Sequence, residues 1–157
     1  MYINWELFIG PFCGVLLAFT ISRSYDWLKN RRQRRKLLQS LKRELKDCLE
    51  RLDGRARLVP IEMWQSAIAS GKVMLLSSEQ LEKLGRIYHA LSNHNFDSKK
   101  LWNISVIAKT EKDRSPDTPA KLTWSGLSKH LRGKEKALKA DTLRLLDGEK
   151  WWHDPQH

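Results

Sequence analysis

Apolar positions gather first into one uninterrupted block. Leu7–Ser22 is sixteen residues without a charge, and Asn4–Ser22 is nineteen with Glu6 as the only charge. That is about the length a helix needs to cross a hydrocarbon core ~30 Å thick. Tyr2 and Trp5 flank one end and Tyr25 and Trp27 the other, where amphipathic rings favour the headgroup level. Arg23, Lys29, Arg31, Arg32, Arg34, Arg35 and Lys36 then place seven basic residues within fourteen positions, against the single acid Asp26. A basic exit predicts an N-terminus outside and everything after Arg23 in the cytoplasm. Residues 1–22 are thus expected to be a single-pass anchor in the inner (cell) membrane. A signal peptide would carry its basic charge before the apolar run and a small-residue cleavage site after it; here the basic block follows. Gly10, Gly14 and Ala18 recur at every fourth position, a stripe that lets helices approach closely. Glycine is also common in membrane helices generally, so self-association into a homo-oligomer and simple composition both account for it.

From Arg23 to Leu52 there is neither proline nor glycine, which predicts a basic juxtamembrane stalk helix over 23–52. Leu38, Leu41, Leu45, Cys48 and Leu52 are spaced 3-4-3-4, an apolar seam of coiled-coil type. Lys42, Arg43, Glu44, Lys46, Asp47 and Glu50 take the other faces. Two heptads fit packing on another copy or on the chain's own core. Cys48 reads as a small apolar seam residue. Pro60 is placed to open a second helix, with Trp64, Ala67 and Ile68 on one face and Gly71 as its stop. Ser77 and Gln80 have capping-box spacing. Leu81, Leu84, Ile87, Tyr88 and Leu91 follow at helical spacing, predicting a helix that ends near Asn93–Asn95. Leu101–Ala108 suits helix or strand.

Residues 109–119 are polar, contain Pro116 and Pro119, and read as a loop. Leu122, Leu127, Leu131, Leu138, Leu145 and Leu146 then predict one or two further helices, with Gly126 and Gly133 as weak points. Trp151 and Trp152 are adjacent and cannot share a helical face, so one should anchor the tail while the other meets a partner or solvent. The expected fold is all-α: an N-terminal transmembrane helix, a helical stalk, and a compact helical cytoplasmic domain over 53–157 containing the loop.

Composition narrows the function classes. The chain has 157 residues, 41% hydrophobic, with a net charge of +11, which suits a globular core and excludes a wholly disordered chain. Two cysteines exclude a disulfide scaffold or zinc ribbon. No nucleophile elbow, zinc motif, paired cysteines or phosphate-loop glycines occur, so neither enzymatic activity, a cofactor nor a metal is expected. His89 and His94 read as capping or surface residues, and Asp113, Asp117 and Asp141 as members of solvated pairs. What remains is charge mixed with aromatics. Trp124, Lys129, His130, Arg132, Lys134 and Lys136 combine groups that neutralise phosphates with rings that stack on bases. A solvated face that holds the protein near anionic lipid would look the same. The juxtamembrane block is expected to meet anionic membrane lipid, at about 1 kcal/mol per basic residue near the surface.

The run Leu41-Lys-Arg-Glu-Leu45 with Leu49 and Leu52, then Trp64, Ser70-Gly71-Lys72, Leu75-Leu76-Ser77, Leu84, Tyr88 and Asn93 or Asn95 resembles a diffuse group of small prokaryotic proteins with one N-terminal span and a compact helical unit. The resemblance covers roughly residues 1 to 95 and is structural. Within that style the chain looks like the small membrane effectors of type III CRISPR systems. That resemblance implies antiviral defence: a cytoplasmic domain binding a cyclic oligoadenylate second messenger, specifically cyclic tetra-adenylate, and an oligomerised helix bundle that perturbs the membrane. No binding motif of that family maps onto particular positions here. The alternative is a membrane-tethered adaptor recruiting a protein through its helical face and Trp-rich tail. A nucleic-acid binder ranks lower because Asp53–Pro119 is close to charge balance and offers no extended basic groove, so no DNA partner is expected.

Overall fold

The computed structural model describes residues 6–52, 57–110, 119–148 and Trp152, with side chains for 12–52, 57–106, 124–148 and 152. The described residues are helical apart from short connections. The first helix, α1 (Glu6–Arg51), has 46 residues and is therefore ~70 Å long. It joins the expected anchor and the expected stalk without a break. Phe12–Asn30 is exposed throughout, whereas Leu37, Leu38, Leu41, Leu45, Cys48 and Leu52 are buried. The 3-4-3-4 seam thus lies on the chain's own core. Among the described residues, no helix is long and apolar enough to cross a membrane. The uncharged run with described side chains, Phe12–Ser22, has eleven residues, against about twenty for a span. The part of the expected span before Phe12 lies outside those side chains.

The second helix, α2 (Glu62–Ala69), begins two residues after Pro60 and ends at Ser70 and Gly71. Gly71 has φ +67°, a left-handed conformation that glycine adopts without a Cβ penalty, and it opens a short 3-10 turn, Lys72–Leu75. Trp64 and Ala67 face the core as expected, but Ile68 does not: it is 53% exposed. An eight-residue helix offers one narrow buried stripe, and Trp64 and Ala67 fill it.

Nothing local caps α2, because Ile61 at its N-cap position makes no side-chain cap bond. The cap comes from α1. Glu44 accepts from the backbone N–H of Met63 at 2.7 Å and of Trp64 at 3.3 Å. The Tyr88 hydroxyl donates to the same carboxylate at 2.7 Å. The Trp64 and Tyr88 rings stack beside it with centroids 4.8 Å apart and planes 3° from parallel. Glu44 is therefore buried at 5% exposure, not on an outer face of the stalk. A carboxylate tolerates that position because two orphan helix-end N–H groups and a phenol satisfy it.

The third helix, α3 (Ser78–Thr110), starts with the expected capping box: Gln80 N–H donates to Ser77 Oγ at 3.3 Å and Ser77 N–H to Gln80 Oε1 at 3.2 Å. Arg34 of α1 donates to the same Gln80 oxygen at 2.9 Å. The pairs Arg34–Gln80 and Glu44–Tyr88 advance together, so α1 and α3 run parallel. The helix does not end near Asn93–Asn95. The Asn95 side chain pairs with both backbone groups of Val59, each at 2.8 Å, and leaves its own helix intact. Leu101–Ala108 is helical, which removes the strand alternative.

The fourth helix, α4 (Pro119–Asp147), is one element running through Gly126 and Gly133. It packs antiparallel to α3, with Lys134 bonded to Asp97 at 2.9 Å. Of the expected loop 109–119, residues 111–118 lie outside the described residues; 109 and 110 complete α3, and Pro119 opens α4. Trp152 anchors the tail: it is buried, its Nε1–H donates to Leu145 O at 3.1 Å, and Lys42 lies 5.6 Å from its ring centroid. Trp151 lies outside the described residues. The exposed half of α1 leaves the core at one end, and the distal α3–α4 hairpin leaves it at the other.

Glu44→Ala should destabilise the fold by about 3 kcal/mol, since it strands a buried phenol and two N–H groups. Glu50→Ala, at an exposed position of the same helix, should stay within about 0.5 kcal/mol of the parent. Urea denaturation of the full chain in detergent measures both.

Candidate functional site

The six residues expected to meet a phosphorylated ligand lie on α4. Trp124, Lys129, His130, Arg132, Lys134 and Lys136 are all exposed. Helical spacing places Lys129, Arg132 and Lys136 on one face, while His130 and Lys134 form an i, i+4 pair on another. Lys134 is turned towards α3 by its ion pair with Asp97. In a single chain the five residues besides Trp124 therefore form two flanks of α4, Trp124 lies between them in the Leu131–Leu138–Leu145 row, and the six do not converge on a pocket. Gly14 has open space around it, and Ala18 is exposed. The Gly10 position lies outside the described side chains.

His94, which reads from its sequence position as a capping or surface residue, lies inside the hairpin beside Glu135. His94 and Glu135 are 2% and 3% exposed in their side chains, with Nε2 and Oε1 3.6 Å apart. His94 Nε2 also lies 3.0 Å from Arg57 O and 3.3 Å from Ser98 Oγ. His94 Nδ1 and both Glu135 carboxylate oxygens have no hydrogen-bond partner. The signal for this burial is the row Ile87–Leu91–His94–Ser98–Leu101, spaced 4-3-4-3, which keeps one face of α3 towards its neighbours past the expected helix end. Both groups are enclosed between α3 and α4 near the level where α1 stops. Among the described residues, no three His, Cys, Asp or Glu side chains are grouped to hold a metal.

Cys48 and Tyr88 both lie close to Glu44 in the core. The Cys48 thiol donates to Pro60 O at 3.1 Å. Burial, then the nearby Glu44 and Asp47 charges, pushes its pKa up to about 12, so the thiolate needed for nucleophilic chemistry is scarce near neutrality. Burial and the adjacent Glu44 carboxylate also raise the Tyr88 phenol well above its usual value. Between α3 and α4 near the α1 exit, Lys83, Arg86, Ile87, Asp141, Arg144 and Leu145 line a shallow open groove of about 450 Å³. Its basic groups already face acids: Lys83 bonds Glu79 at 2.6 Å, Arg86 bonds Glu82 at 2.9 Å, and Arg144 lies 3.7 Å from Asp141. That matching makes it a poor anion site.

The distal hairpin differs. Trp102 is 68% exposed and Trp124 is 40% exposed, and Lys99, Arg132 and Lys136 stand nearby in sequence with exposed side chains. Large rings and basic groups together at a surface suit binding. No protein-family model matches the chain, and neither a curated protein nor a solved structure is detectably similar to it.

Cys48 and Tyr88 both hold protons more tightly in the fold than at their ordinary values of 9.0 and 10.0. Their contribution is fully present below pH ~9 and is lost as pH rises above it, because the folded state then binds more protons than the unfolded chain. Urea midpoints should therefore fall between pH ~9 and ~11, and the fall should shrink in Tyr88→Phe. At pH ~8, N-ethylmaleimide should spare Cys48 in the folded chain and label it in denaturant.

Proposed function

We propose that this chain is a membrane-anchored effector that acts by binding rather than by catalysis. Its α1 N-terminal half sits in the bilayer, and its helical unit on the cytoplasmic side receives the signal. The observation that supports this reading is the continuity of α1. One helix carries an exposed apolar segment, a basic collar and the seam around which the core is built. A ligand that changes how α3 and α4 pack on that seam would act on the membrane segment through a single rigid element, and it can do so only by binding one packing better than the other.

The ligand proposed is a cyclic oligoadenylate, with cyclic tetra-adenylate first. Lys129 and Lys136 on the outer face of α4 would meet phosphates, and Trp124 would stack on adenine. Because these residues do not enclose a pocket in one chain, the site would form about the axis of a homo-oligomer, where a cyclic ligand of matching symmetry can sit. The second reading, a tethered adaptor, is favoured by the bare Trp102 surface. Its contacts would lie on the hairpin, since Trp152 of the tail is already used by the core.

Full-length protein in nanodiscs, titrated with cyclic tetra-adenylate and with its linear counterpart, tests the first reading. Saturable binding selective for the ring is expected, with a loss of ~tenfold or more in Lys129→Glu/Lys136→Glu and unchanged co-flotation with vesicles. A flat titration of folded, membrane-inserted protein leaves the adaptor.

A further inference from the structure

The hairpin formed by α3 and α4 extends past the end of the helix that fills its groove. Over its proximal half the groove is occupied by α1: Tyr88 meets Leu41 O and Glu44, while Leu138, Leu145 and Leu146 join Leu41, Leu45 and Cys48 in one core. α1 ends at Arg51, and the chain crosses the groove where Val59 pairs with Asn95. Beyond that crossing α3 runs another fifteen residues, from Asn95 to Thr110, or ~22 Å.

The rows that held α1 continue through this distal part. On α3, Tyr88, Asn95 and Trp102 are spaced by seven and lie in one row; the first meets α1, the second meets Val59, and the third is 68% exposed. On α4, Trp124 continues the row Leu131–Leu138–Leu145, whose other members are buried. The rim is basic. Lys99 lies one turn before Trp102, and Arg132 belongs to the row Arg132–Lys139–Leu146, whose last member faces the α1 core. Lys134, bonded to Asp97, marks the opposite flank.

We propose that the distal part of this groove, floored by Trp102 and Trp124 and rimmed by Lys99 and Arg132, docks an amphipathic helix of a partner protein whose flanks carry acidic residues. This rests on the adaptor reading and names the partner's chemistry. A helix is the occupant because the same two rows already hold one: the visitor would lie end-on to α1 and extend its seam across the hairpin. Its flanks are acidic because the rim, Lys99 and Arg132, is basic, so a helix that carries acids on its flanks meets it with complementary charge.

The probe is a fluorescent, helix-stabilised peptide of about eighteen residues with leucine at i, i+3, i+4 and i+7 positions and glutamate on both flanks. Its control has lysine in place of every glutamate. Both are titrated by anisotropy against full-length protein in phosphatidylcholine nanodiscs. Saturable binding of the glutamate peptide alone is expected. Trp102→Glu should weaken it about thirtyfold, and Lys99→Glu/Arg132→Glu by ~tenfold or more. Protection of Cys48 from N-ethylmaleimide in each variant shows that the fold is kept. No saturable binding, equal binding of the lysine peptide, or undiminished binding by Trp102→Glu overturns the proposal. So does concentration-dependent self-association that Trp102→Glu abolishes, since that makes a second copy the occupant. Vesicle co-flotation is read in parallel: losing it overturns membrane anchoring, whereas losing peptide binding with flotation intact overturns the groove alone.

Discussion

The Glu44 carboxylate is the constraint on which the rest of the helical unit depends. It projects from the first helix, closes the open N–H groups of the second and accepts the hydroxyl of Tyr88 on the third. Each group alone would be costly to bury; together they satisfy one another, and the low-dielectric surroundings strengthen the set. The Trp64–Tyr88 stack then has fixed partners on both sides. Because Cys48 lies one turn further along α1 with its thiol on the Pro60 carbonyl, the connection between α1 and α2 is held at two adjacent points, which sets where the chain can cross towards Asn95.

Around that tie the unit is built from rows that belong to different helices but share one seam. α1 supplies Leu41, Leu45 and Cys48, α3 supplies Leu84, Tyr88 and Leu91, and α4 supplies Leu138, Leu145 and Leu146. Trp152 closes the seam from the tail, with the Lys42 ammonium over its ring. The elements differ in length, so the seam is shared only in the middle. Everything distinctive about the surface follows from the overhangs: an exposed apolar and basic stretch of α1 on one side and an aromatic, basic hairpin on the other.

Much of this was legible from spacing. The 3-4-3-4 seam, the Ser77–Gln80 box and the Gly71 stop are short-range signals, and each acts through residues within a turn or two. Glu44 was not legible, because a glutamate among Lys42, Arg43 and Lys46 has the pattern of a solvated face; its partners are 19 to 44 residues away. His94 was misread for the same reason, its enclosure depending on Glu135. The length of α3 was underestimated because Asn93 and Asn95 resemble a helix end, whereas Asn95 spends both its groups on Val59. For the candidate site, composition identified α4 as the basic aromatic helix. It could not separate Lys134 from Lys129 and Lys136, a distinction made by Asp97 on another helix.

The unbroken passage of α1 from its exposed half into the core has a geometric corollary. With no hinge residue between Arg23 and Leu52, the azimuth of the Gly14–Ala18 edge is phased to the azimuth of Leu41 and Leu45, as teeth on one shaft are phased. Each residue added between Lys29 and Lys36 would turn one set against the other by about 100°, while altering neither the apolar segment nor the core. The length of this stretch, more than its composition, therefore determines which edge of the exposed half of α1 is presented to a neighbour.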